Sequence, residues 1–86
     1  MPRISQFYGI AVYMYYRDHA PPHFYAIYGD DEAIIDIASG AVLDGKLSRR
    51  ALALVSDWVA AHRQELLDNW QLARAGQPLN SIAPLD

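Results

Sequence analysis

From Arg49 to Ala75 the chain has no proline or glycine, and this run limits what 86 residues can build. At 100° per residue, Ala51, Val55, Trp58, Val59, His62, Leu66, Trp70 and Ala73 share one stripe, with Asp57, Gln64, Asp68 and Gln71 opposite. Ser48 suits an N-cap, although Ala51 stands where a full capping box needs Glu or Gln. Gly76 and Pro78 supply the stop signals. The spacing predicts a helix over 49–75, roughly 40 Å long at 1.5 Å per residue. It should lie across a sheet by its apolar stripe, with its last turns projecting past the sheet. The chain has no cysteine, so neither disulfides nor thiolate metal sites contribute.

Everything before the helix reads as sheet. Residues 7–16, FYGIAVYMYY, are β-branched and aromatic with two apolar faces, the pattern of a strand covered on both sides. Residues 23–28 and 32–37 form two further strands, close enough across Gly29-Asp30-Asp31 to make a hairpin. In the second of these, Ala33, Ile35 and Ile37 alternate with Glu32, Ile34 and Asp36. Burying an unpaired Asp36 would cost several kcal/mol, so the Ile35 row faces the core. Residues 41–43 make a short fourth strand between the turns at Ser39-Gly40 and Asp44-Gly45. The expected architecture is α+β: one domain over residues 1–86, an antiparallel three- or four-stranded meander packed by one long C-terminal helix. The tail, 77–86, carries Leu79, Ile82 and Leu85 and is expected to pack back.

The stretch from Arg17 to Asp30, RDHAPPHFYAIYGD, places Asp18, His19 and His23 within six residues. Pro21 and Pro22 exclude a helix there and stiffen the connection. Asp18 and His19 then end one strand region and His23 begins the next. A carboxylate and two imidazoles at one turn suit a general acid–base pair or a metal. They equally suit a turn whose polar groups bond local backbone. His-x-x-x-His spacing binds metal mainly on helices, so no metal site is expected. His62, within the helix stripe, needs a polar partner, for which Asp36 or the His19–His23 turn is the candidate.

Opposite the Ile35 row the sheet can gather Tyr13, Tyr15 and Tyr25, suited to stacking on bases or to a protein interface. A net charge of −3 and a lack of basic residues on those strands favour protein over nucleic acid. Arg17 is the cation nearest the turn. Arg49 and Arg50 open the helix against its macrodipole and mark a candidate anion contact. No phosphate loop and no nucleophile in a known motif is present, so no cofactor is expected. The first nine residues lack the apolar run of a secretory signal and no stretch is long enough to span a membrane; the expectation is a cytoplasmic protein.

The residues D-H-x-P-P-H-F at Asp18–Phe24, with Trp58, His62, Leu66 and Trp70 on the helix, resemble the bacterial family known as domain of unknown function 4160. The likeness covers nearly the whole chain. The family usually has a second histidine where Tyr25 stands, which removes the third imidazole from any cluster centred on His23. The resemblance implies a small protein encoded beside, or fused to, another small domain, in pairs that look like type II toxin–antitoxin modules with this family in the toxin position. Three functional expectations follow. The first is a toxin component held by a cognate antitoxin-like partner. The second is a non-catalytic interaction module, including a homo-oligomer. The third is a nuclease using His19 and His23 with Arg17 or Arg49 on phosphate.

Overall fold

The computed structural model describes residues 2–86; of the expected domain only Met1 lies outside the described residues. Five strands, β1 (Arg3–Phe7), β2 (Ile10–Tyr13), β3 (His23–Tyr28), β4 (Asp31–Asp36) and β5 (Val42–Gly45), precede one helix, α1 (Arg49–Arg74). The strands form one antiparallel sheet in sequence order, β1-β2-β3-β4-β5. The α+β architecture is as expected, but the sheet has five strands rather than three or four.

The difference lies in residues 7–16. Tyr8 and Gly9 both take positive φ, 50° and 80°, and form a two-residue hairpin between Phe7 and Ile10. Such turns match the right-handed twist of the strands they join. Tyr rarely occupies that position, so the aromatic run concealed the turn. β2 then stops at Tyr13, earlier than the expected 16. The fourth strand expected at 41–43 sits at 42–45, and a register shift between Ile34 and Ile35 interrupts its pairing to β4.

One face of the sheet carries Ile10, Val12, Phe24, Ala26, Ala33 and Ile35, all fully buried under α1. The helix answers with Ala51, Val55, Trp58, Val59, Leu66, Trp70 and Ala73, also buried. Phe7 and Phe24 meet the Trp58 ring at 5.2 and 5.7 Å between centroids. Ser48 accepts a hydrogen bond from the Ala51 N–H at 3.1 Å, as an N-cap should. At the other end Gly76 (φ 72°) follows the cap residue Ala75, with Gln77 N–H donating to Leu72 O and Gly76 N–H to Ala73 O. That pairing is a Schellman motif. Trp70 and Ala73 in the last turns stay buried, with Trp70 against the His23 ring and Ala73 O bonded by the Arg17 N–H.

The tail packs back as expected. Ile82 is buried and its N–H donates to the Ile4 carbonyl. Trp58 Nε1 donates to Ala83 O at 2.9 Å, and Asn69, fully buried, holds both the N–H and the carbonyl of Asn80. No helix among the described residues is long and apolar enough to cross a membrane.

Candidate functional site

The diproline corner delivers its polar groups to one place. His23 is the first residue of β3 and sits across from Asp36, so its ring emerges at the end of the sheet. There it lies 5.1 Å from the Trp70 ring and 5.7 Å from Tyr25. The His23 side chain is only 4% exposed, and both of its ring nitrogens are engaged. Nδ1 lies 2.6 Å from the Pro21 carbonyl, which can only accept, so Nδ1 carries a proton. Nε2 lies 2.9 Å from Asp18 Oδ2. The Ala20–Pro21 peptide is cis.

Asp18 also gathers two donors. The His19 N–H bonds Oδ1 at 2.9 Å, and the Tyr25 hydroxyl donates to Oδ2 at 3.3 Å beside His23. Partial burial pushes the Asp18 carboxyl up, but the His19 N–H and the two imidazoles outweigh it and hold it below the usual carboxylate range. Desolvation and the adjoining Asp18 charge both push the Tyr25 phenol above its ordinary value. Tyr25 thus takes up the position the likeness assigned to a further histidine and uses it to bind Asp18. The His19 imidazole, by contrast, is 91% exposed, with Nε2 4.0 Å from Asp18 Oδ1.

The other expected site residues separate into two groups. Tyr13 and Tyr25 pair directly across β2 and β3, and Tyr15 stacks edge-on to Tyr25 at 4.5 Å. The aromatic row therefore exists, and the register extends it to Arg3–Tyr13–Tyr25–Ile34–Asp44 across all five strands. The cations lie elsewhere. Arg17, at φ 53°, donates its N–H to Ala73 O, and its guanidinium rests against Gly76. Arg49 and Arg50 are exposed in the first turn of α1, twenty or more residues before Trp70, about 30 Å along the axis at 1.5 Å per residue.

His62 also stays apart from the turn. Its Nδ1 lies 2.6 Å from Glu65 Oε1 and its ring packs 5.7 Å from Trp58. The backbone at His62 departs from helical angles (φ −128°, ψ 22°), which kinks α1 there. Asp36 is occupied otherwise: its Oδ2 accepts from the Ser39 N–H and Oγ and caps that turn. The single buried polar site linking His62 to the turn is therefore not formed.

His19, Pro21, His23, Tyr25, Ile34, Leu43 and Asp44 together line an open cavity of about 440 Å³ on the side of the sheet away from α1. Sequence reasoning missed Leu43 and Asp44, read only as strand and turn. Nothing local ties β5 to a corner twenty residues earlier; pairing to β4 does so. Among the described residues no three His, Asp or Glu side chains converge as metal ligands would. Over residues 9–71 the sequence matches a family model described as Domain of unknown function (DUF4160). No curated protein and no solved structure matches the chain.

Proposed function

The chain belongs to the DUF4160 family, and from that membership we propose that it is a protein-binding component of a two-protein module of the toxin–antitoxin kind, engaging its partner with the bare face of its sheet. One observation carries this reading. On the face away from α1, Ala11, Tyr13, Tyr25, Ile27 and Ile34 are half-buried and Tyr15 is 37% exposed, with no described element across them. Tyrosine-rich apolar surface rimmed by polar groups is the composition of protein interfaces.

The polar corner supports binding better than it supports catalysis. Both His23 nitrogens are committed to Pro21 and Asp18, which leaves neither free to exchange a proton with a substrate. No lysine or arginine lines the cavity to hold a phosphate. In this reading the Asp18–His23–Tyr25 group is a fixed corner that sets the rim of a docking face.

Co-expression with the protein encoded beside it, followed by affinity purification, tests the proposal. The partner is expected to co-purify with the native chain. The loss expected for Ile34→Glu and for Tyr15→Ser is about tenfold each in affinity, with circular dichroism unchanged. A neighbour that never co-purifies, or variants that bind as tightly as the native chain, would overturn it.

A further inference from the structure

Between Asp18 and Gly45 there are six carboxylates and not one lysine or arginine. All seven lysines and arginines lie outside that segment, with only four acids. The net charge of −3 therefore divides into −6 for residues 18–45 and +3 for the rest. Residues 18–45 build the corner, β3, β4 and β5, so the charge division becomes a spatial one. On the open face Asp18, Glu32, Asp36 and Asp44 outnumber the cations there, Arg3 at the far end of the Tyr13–Tyr25–Ile34 row and the exposed Lys46, whose N–H donates to Glu32 O.

β5 adds a second, independent feature. It ends the sheet, all four of its residues are exposed, and Leu43 is 48% exposed. β1, the other edge, is bonded by the tail through Ile82 N–H to Ile4 O. A short open edge beside a cavity can accept one more strand, whose alternate side chains fall on the face that holds the cavity. The cavity wall on that side is the Asp44 carboxylate, with Tyr25 as an aromatic floor. A carboxylate beside a phenol ring suits a guanidinium or ammonium group.

We propose that the partner protein contributes an extended basic segment, which pairs along β5 and sets an arginine or lysine side chain in the cavity between His19 and Asp44. This rests on the partner-binding reading and narrows it to one chemistry. A second copy of this chain fits poorly, because two such faces would bring eight carboxylates together with four cations. Nucleic acid is repelled by the same carboxylates.

The test uses the full chain and three probes: a peptide of alternating arginine and threonine, its glutamate counterpart, and an oligouridylate. Binding is read from amide chemical shifts. The arginine peptide is expected to move Leu43, Asp44, Gly45 and Tyr25 and to lose affinity as salt rises. Asp44→Asn should weaken it about fivefold, the upper range of one exposed ion pair. Asp44→Lys should reverse the preference toward the glutamate peptide. Equal binding of both peptides, shifts away from β5, preference for the oligouridylate, or indifference to both Asp44 variants would overturn the proposal. If the arginine peptide fails while the encoded neighbour still co-purifies and still depends on Ile34, this inference falls and the partner-binding reading stands.

Discussion

His23 Nε2 lies 2.9 Å from Asp18 Oδ2, and the Pro21 carbonyl holds the opposite nitrogen of the same ring at 2.6 Å. The ring therefore ties together three points of the corner at Asp18, Pro21 and His23 from within. Trp70 of α1 closes over it, so the corner is fixed to the helix as well as to β3. That arrangement explains how an irregular segment between two strands can form a definite rim for the open face.

The pair should be energetically coupled. Replacing His23 by Gln leaves a buried site with unmatched polar groups and is expected to cost about 1–3 kcal/mol. Asp18→Asn, at a less enclosed position, should cost less. In urea unfolding the double variant should lose measurably less than the two single losses added together, because contacting residues share one interaction. Strict additivity would mean that the two side chains act independently.

Acid should act through Asp18. Its folded pKa is depressed, so its contribution is complete above the unfolded carboxyl value, about 3.9. It is lost as pH falls through the lower folded value. The stability gap between the native chain and Asp18→Asn should therefore narrow below about pH 4. Tyr25 has the opposite sign: its folded pKa is raised, so its contribution is present below about pH 10 and is lost as pH rises through the folded value. Ultraviolet titration of Tyr25→Phe should lack a late-ionising phenol seen in the native chain.

Asn69 should govern the tail. Its amide satisfies both backbone groups of Asn80 from a fully buried position on α1. Asn69→Ala is expected to lower stability by about 1–3 kcal/mol. Hydrogen exchange should show the amides of Asn80 and Ile82 losing protection before those of β3. Unchanged protection at both would place the tail's attachment elsewhere, on Trp58 and Ile82.

β5 depends on a glycine. Gly45 takes φ 77°, and a Cβ there would run into the Glu32 carbonyl oxygen. Gly45→Ala should cost at least about 1 kcal/mol in backbone strain alone. The amides of residues 42–45 should exchange faster, with the core strands β2 and β3 unaffected.

What the residues disclosed about the fold follows from periodicity. The stripe from Ala51 to Ala73 and the Ile35 row are one-dimensional patterns, and burial follows them, with Asn69 as an added polar member and His62 only partly buried. The hairpin at Tyr8-Gly9 stayed hidden because a tyrosine with positive φ has no common sequence signal. At the site, the meeting of Asp18 with His23 was legible because proline limits the path between them. Asp44 and Leu43 were not, because their place beside His19 depends on a sheet register with a bulge. The partners of His62 and Asp36 were local, at Glu65 and Ser39, where long-range ones were expected.

Hydroxyl-radical footprinting of a complex with the proposed partner tests the proposed docking face most directly. The account predicts that Tyr15, Tyr25 and Leu43 lose reactivity on binding, while Tyr28, at the far end of β3, keeps its own. Protection confined to the exposed side of α1, with Tyr15 and Leu43 as reactive as in the free chain, would contradict it.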